Sequence, residues 1–466
     1  MLRFLFLFLP LLAAATRAQA QQPTSQPRPP ATRPPAPGQT APAAPAPPLT
    51  LAQAIQVGLE NNFDIRLART DEQVAANNVS RGNAGQLPTV NGNLTRSFTT
   101  NNVRQESSAR PEPSIISNAQ SNLLNANVAA TWTVFDGFGM FIAYDRLQAL
   151  SQSQRQRTRA TLEETVADIT DAYYAVVREQ GKIKSIEEAL KIGQARLDLT
   201  QARVTVGVSA KVEVLTARVD YNADQSALIQ QQEALTTAKI TLNTLLGRAP
   251  RLNFSPADSI VVTRGLDQAA LVQAMQANNP RLQAAHTSTA VATYDRRLAR
   301  AARFPQVGLT SGYGLNRNVN GAAFFGSQLV TNTGRTYGLN YGLVASVPIF
   351  DGFNRRRLEQ NARIGEERSQ VQLGQTQLQL AAEAEQAYAQ YQNRLQLLEL
   401  EEANILLARQ NVAIALERYR LGLLTPIVLR EAQRTRLDAE VRLLDIRFQA
   451  KQAETVLRRL SGGLVK

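Results

Sequence analysis

Two kinds of apolar spacing divide this chain. Leu124, Ala126, Val128, Ala130, Trp132 and Val134 alternate with Asn125, Asn127, Ala129, Thr131, Thr133 and Phe135, a period of two that predicts a strand with one apolar face. Tyr337, Leu339, Tyr341, Leu343, Ala345, Val347 and Ile349 repeat the pattern against Gly338, Asn340, Gly342, Val344, Ser346 and Pro348. Weaker alternation precedes each, so strand pairs are expected over 88–102 with 122–135 and over 305–316 with 336–350. A long polar, glycine-bearing loop is expected inside each pair. Both strong strands are long enough to cross a membrane obliquely, which takes about 9–11 residues.

The second spacing is helical. Between Gly352 and Gly422 a 4,3 rhythm picks out Ala384, Tyr388, Tyr391, Leu395, Leu398, Ile405, Val412, Leu416 and Tyr419, broken by Glu402 and Arg409. Such a seam predicts a long coiled-coil helix over 353–421. No proline interrupts that stretch or the stretch 138–206, so each can run for about 100 Å at 1.5 Å per residue. Shorter helices are expected over 51–84, opened by a Thr50…Gln53 capping box, and over 211–246, 268–303 and 426–460. Laid end to end, two short helices match one long one.

The same elements are written twice. Val134-Phe135-Asp136-Gly137-Phe138 recurs as Ile349-Phe350-Asp351-Gly352-Phe353, an offset of 350 − 135 = 215. Arg203, Gly207 and Gly247 map to Arg418, Gly422 and Gly462 at that offset, whereas Asn61-Asn62 and Pro88 map to Asn278-Asn279 and Pro305 at 217. A tandem duplication follows, with repeats over 49–250 and 266–466 and a connector over 251–265 that contains Pro256.

Ahead of the first repeat, Arg3, the apolar stretch from Phe4 to Ala15 and Ala18-Gln19-Ala20 read as a secretory signal over 1–20. Residues 21–48 are crowded with proline and read as an extended or disordered lead. Export changes the meaning of the formal net charge of +13, because an exported protein seldom meets nucleic acid. Arg296, Arg297, Arg300, Arg303, Arg355, Arg356 and Arg357 flank the second strand pair, where they can face lipid phosphates. The Phe4–Ala15 stretch is too short to cross a bilayer as a helix, which takes about 20 residues, and no longer apolar run occurs elsewhere.

Catalytic chemistry finds little support. The chain has no cysteine and one histidine, His286, which leaves neither a histidine-based triad nor a multi-histidine metal site. No nucleotide, phosphate or nucleophile-elbow motif is present. No enzyme activity, metal or cofactor is expected. What remains is an α+β protein whose strands, if they span a membrane, cannot close a barrel with four per chain, so several copies must share one. A soluble sheet carries the same alternation; the chain is then a periplasmic coiled-coil adaptor or scaffold without a pore.

The duplication, the paired Phe-Asp-Gly-Phe turns and the Arg-x-x-x-Gly helix ends resemble the TolC family of outer-membrane efflux proteins. The resemblance implies a homotrimer, in which twelve strands form one β-barrel and the helices continue it as a periplasmic α-barrel. It implies a passive exit duct of a tripartite efflux or type I secretion assembly, docked onto a periplasmic adaptor and an inner-membrane transporter. The adaptor contact falls on Arg203, Gly207, Val208 and Ser209 and on Arg418, Gly422, Leu423, Leu424 and Thr425. The periplasmic aperture falls on Glu213 and Glu431, with Val428 departing from the acidic pattern. Phe135, Asp136, Gly137, Phe350, Asp351 and Gly352 form the strand-to-helix turns.

Overall fold

A computed structural model describes residues 47–465 except 108–109 and 326–327. The expected signal and residues 21–46 of the lead lie outside the described residues. The order is β1 (Pro48–Leu49), α1 (Leu51–Asn61), α2 (Phe63–Asn77), β2 (Thr89–Ser107), β3 (Arg110–Phe135), α3 (Gly139–Thr205) and α4 (Lys211–Leu245). The second repeat follows as β4 (Ser255–Pro256), α5 (Gln268–Asn278), α6 (Pro280–Ala301), β5 (Gln306–Phe325), β6 (Gln328–Ser346), α7 (Asn354–Arg420) and α8 (Pro426–Leu460). Both long helices run for 67 residues.

Where the apolar pattern reads one helix over 51–84, the chain makes two. The Asn62 side chain accepts from the backbone N–H groups of Asp64 and Ile65 and so caps a new helix. Its amide donates to the Leu245 carbonyl at the end of α4, at 2.8 Å. Asn279 caps α6 ahead of Pro280 and donates to the Leu460 carbonyl at 2.9 Å. Asparagine competes for backbone hydrogen bonds, which breaks helices locally and rewards caps. The break is therefore a joint where the start of each repeat meets its end. Gly247 and Gly462, both at positive φ, complete it. A β-carbon on either would come within 2.4 or 2.7 Å of the Asn61 or Asn278 carbonyl oxygen.

The expected polar loops are strands. Four antiparallel strands form one sheet in the order β2-β3-β5-β6, and β2 pairs with β3 as far as Ser107 opposite Arg110. A ladder is made of backbone groups, so threonine, asparagine and serine continue it wherever water covers both faces; apolar alternation marks the buried stretch alone. The last strand stops at Ser346 and not at Phe350, because Pro348 has no N–H for the ladder. The lead also ends early: Pro48–Leu49 pairs in parallel with Ser255–Pro256 of the connector.

Cross-strand neighbours share a face of a sheet. Trp132 stands beside Leu309 and Leu309 beside Leu343, while Val128, Tyr313 and Leu339 follow one another across the sheet. Leu94, Ala126, Leu315 and Tyr337 form a further row on the same face. The other face carries Asn93, Asn127, Gly314 and Gly338 in register, with Asn93 donating to Asn127 at 3.0 Å. Large apolar groups stand exposed along the first face, and β2 and β6 are edges without a further partner strand among the described residues.

The buried core sits among the helices. At the waist, Leu49, Ala54, Ile169, Tyr173, Leu242, Leu246 and Phe254 pack together, and Met275, Leu380, Tyr391, Ala453 and Leu457 form the corresponding cluster of the second repeat. The seam rhythm of α7 faces this core: Ala384, Tyr391, Leu398, Ile405, Val412 and Tyr419 are buried. Its two interruptions are paired, Glu402 with Arg264 and Arg447, and Arg409 with Glu440.

Candidate functional site

The chain reverses at two helix tips, each closed by the same backbone device. Val208 N–H donates to the Arg203 carbonyl at 3.0 Å and Gly207 N–H to Val204 at 3.1 Å. Leu423 and Gly422 repeat this with Arg418 and Tyr419 at 2.9 and 3.0 Å. These are Schellman caps, which need a residue at positive φ; Gly207 has φ +80° and Gly422 +77°. Val206, Val208 and Val212 stand exposed around the first tip, and Leu421, Leu423 and Ile427 around the second. Leu424 instead turns inward onto the cluster of Val412, Ala415, Tyr419, Leu429 and Ala432. Thr425 precedes Pro426 without capping α8 through its side chain.

The two tip arginines differ. Arg203 donates to the Tyr419 carbonyl at 2.5 Å and to Arg420 at 3.2 Å, with its guanidinium 4.8 Å from the centre of the Tyr419 ring. It thereby holds the first hairpin to the second. Arg418 lies exposed. Of the aperture candidates, Glu213 accepts a hydrogen bond from Ser209 across the turn and sits in the first turn of α4, where the helix dipole favours a carboxylate. Glu431 is exposed.

Several residues that link the hairpins were not singled out by spacing or motif. Thr200 and Tyr419 share a buried hydroxyl hydrogen bond of 2.7 Å. Arg430 makes a two-pronged contact with Asp224 at 2.7 and 2.8 Å, while Arg196, 3% exposed, reaches Asp220 at 2.5 Å within the first hairpin. The Asp224 carboxylate, hydrogen-bonded to Arg430, is the first cause that raises the arginine's already high pKa. The Asp220, Asp224 spacing of four was the available signal, since it puts both acids on one helix face.

At the opposite end the strand-to-helix turns are near copies. Phe138 and Phe353 take left-handed φ of +69° and +66°, a conformation costing a non-glycine residue about 1–3 kcal/mol. Each ring packs edge to face, 5.4 Å from Phe135 or Phe350, which offsets about 0.5–1.5 kcal/mol. Asp351 accepts from the backbone N–H of Arg355 at 2.9 Å. Asp136 lies against Gly139, whose missing β-carbon leaves it room. Of the flanking arginines, Arg296 pairs with Glu366 and Arg303 with Glu359, and Arg355 reaches Asp351 at 3.8 Å. Arg357 bonds to Asn354 and Arg297 lies over the Tyr294 ring. Arg300 and Arg356 have no ion-pair partner among the described residues.

Among the described residues no helix is long and apolar enough to cross a membrane, and no group of three or more metal-ligating side chains could hold an ion. The candidate surface is thus a pair of caps at one end of long hairpins and an apolar-banded sheet at the other.

A model of the family described as outer membrane efflux protein matches residues 54–248 and 271–463, one block in each repeat. The pyoverdine export outer membrane protein OpmQ of Pseudomonas putida is 27% identical over 420 residues, 89% of this chain and 86% of its own. The cation efflux system protein CusC of Escherichia coli O6:H1 is 24% identical over 440 residues, 88% and 85% of the two chains. Protein CyaE of Bordetella pertussis is 27% identical over 271 residues, 56% of this chain, which spans 54% of CyaE. Among solved structures, the outer-membrane channel OprN shares the fold at a TM-score of 0.72 and 23% identity, covering 89% of this chain and 90% of its own. The open state of the Neisseria gonorrhoeae MtrE outer membrane channel does so at 0.69 and 17%, covering 89% of each. With one matched block in each repeat and most of the chain covered, the chain belongs to the outer membrane efflux protein family.

Proposed function

We propose that this chain is a passive exit duct of the outer membrane, working as a homotrimer on substrates delivered by an inner-membrane transporter through a periplasmic adaptor. One observation carries the reading: the four-stranded sheet has an apolar face, a polar face and two open edges. In hydrocarbon an unpaired edge leaves several kcal/mol of hydrogen bonding unmet per group, so the sheet is complete only when neighbouring copies close it. The polar face then lines a water-filled route. Nothing in the reading requires catalysis or a cofactor.

The tips are the docking ends. Gly207, Val208 and Ser209, with Gly422, Leu423 and Thr425, present short backbone turns ringed by exposed valine and leucine, a surface an adaptor hairpin can cover; Arg203, Arg418 and Leu424 brace those turns. Glu213 and Glu431 are proposed to gather into acidic rings in the trimer, attracting cations and resisting anions. Arg300 and Arg356 are the arginines left to meet lipid phosphates. The names of OpmQ and CusC, a pyoverdine exporter and a cation efflux protein, do not agree on one cargo, and a permissive lumen accounts for that breadth.

Purified protein in a planar bilayer separates a duct from a scaffold. Stepwise ion currents are expected; a water-soluble protein that inserts nowhere and carries no current would favour the scaffold.

A further inference from the structure

At the hairpin end of the sheet, away from the helices, the apolar face is bounded by arginine. One step beyond the row of Leu94, Ala126, Leu315 and Tyr337, the register brings Arg96, Leu124, Arg317 and Arg335 side by side. Arg317 and Arg335 stand directly opposite each other on β5 and β6, where like charges repel across the ladder. All three arginines are exposed, and none has an ion-pair partner among the described residues. Arg96 lies over the Phe98 ring at 4.8 Å, and the exposed Tyr337 stands two residues from Arg335 on the same face.

The strands hold no acid to set against this row. Across the four of them the acidic residues are Glu106 and Glu112, both near the end of the first hairpin, and Glu106 is paired with Arg104 at 3.0 Å. Glu106 lies ten residues along β2 from Arg96 (106 − 96 = 10), about 33 Å at about 3.3 Å per residue. A neighbouring copy brings strands of the same composition. The arginines at the helix end of the sheet differ, since Arg296, Arg303 and Arg355 each have a carboxylate partner. The countercharge for the outer row therefore comes from outside the protein.

Depth in the membrane identifies that anion. Arg317 is opposite Arg335 and, ten residues nearer the helices, Val307 is opposite Ala345 (317 − 307 = 345 − 335 = 10). The interval is about 33 Å of strand. At the tilt of about 40° usual in membrane barrels it spans about 25 Å of height, which is that of their apolar band. Between the two pairs this face carries Leu309, Tyr313, Leu339 and Leu343 and no charge. The arginine pair thus falls at the outer headgroup level, with the periplasmic helices at the opposite end. A guanidinium grips phosphate through two parallel hydrogen bonds, and a tyrosine suits the same depth, with its ring in the apolar layer and its hydroxyl in the polar one.

We propose that Arg317 and Arg335, with Arg96 and Tyr337 beside them, hold the phosphate groups of the phosphorylated glycolipid of the outer leaflet. Its acyl chains lie along the apolar face, and its phosphates neutralise the arginine row. The site rests on the outer-membrane duct reading and adds a lipid ligand to it.

Purified protein, delipidated in detergent and then offered lipid A carrying both phosphates, tests the site by native mass measurement. Wild type is expected to retain the lipid A, and Arg317→Gln/Arg335→Gln to retain about tenfold less, the equivalent of one lost charge-assisted hydrogen bond. Arg317→Lys/Arg335→Lys keeps the charge without the fork and is expected to fall between the two. Arg69→Gln/Arg368→Gln removes the same charge from exposed positions on α2 and α7 and is expected to match wild type. Equal retention of dephosphorylated lipid A would overturn the site. So would displacement by inorganic phosphate or by phosphatidylglycerol at the same concentration, which would assign the row to a free anion or to any acidic phospholipid. A glutamine double variant that conducts in a planar bilayer and retains lipid A as wild type does would overturn the site and leave the duct standing. A wild-type protein that neither conducts nor retains lipid A would overturn both.

Discussion

Helices α3 and α7 have the same length and nearly the same ends, yet α3 buries 19 of its residues and α7 buries 10. The difference is concentrated toward the membrane end: α7 has no buried residue before Leu380, whereas α3 already buries Gly139, Met140, Ala149, Ser153 and Thr158. One sequence unit, copied, has one copy surrounded by its own chain and the other facing outward with leucine and valine in the same positions. Burial in a duplicated protein therefore reports which contacts are made in cis and which are left for another copy.

Breaking the outward face should have the largest effect. Val371→Asp with Leu378→Asp, both exposed on α7, leaves the chain's own core untouched, so helical circular dichroism should persist while the oligomer and its conductance disappear; a conducting trimer would mean that this face meets no partner. Next comes the inward face. Tyr391 is fully buried and donates to the Thr263 carbonyl at 2.6 Å, so Tyr391→Ala should cost about 3–5 kcal/mol of unfolding free energy, measurable by denaturant titration.

Arg430→Ala leaves Asp224, a nearly buried carboxylate, without its two-pronged partner. A loss of about 1–3 kcal/mol is expected, visible as faster proteolysis of the tips.

A smaller, pH-dependent effect belongs to the waist. Burial pushes the Asp171 carboxyl up to about 6 from an ordinary 3.8, against a hydrogen bond from Gln452. The folded chain holds that proton more tightly than the unfolded one. The penalty for the ionised side chain is therefore absent below the ordinary carboxylate range, grows as pH rises and is complete above about 6. The counterpart in the second repeat is the neutral Gln386. Asp171→Asn should raise the melting temperature at pH 8 and change it little at pH 4; a uniform change at both would rule out titration as the cause. Smallest is Gly207→Ala, where open space surrounds a positive φ and the backbone alone should cost about 1 kcal/mol.

Much of this architecture was legible in the sequence because it rests on period and repetition. The seven-residue rhythm placed Tyr391, Leu398 and Val412 on the buried side of α7, and the offset of 215 paired the tips. Asn62 and Asn279 were visible as a repeated motif, but their role as joints depends on carbonyls at the far end of each repeat, Leu245 and Leu460. The long upper strands escaped because a ladder between polar residues leaves no mark in apolar alternation. Arg203 was found by its spacing from Gly207, whereas its partner is a backbone carbonyl more than two hundred residues away, which no local pattern encodes.

In a trimeric duct one chain supplies a third of a closed wall. Native mass measurement of the detergent-purified protein, with currents recorded from the same preparation, tests it most directly. Three chains in the conducting species are expected; a single chain that folds stably in lipid and conducts alone would contradict it.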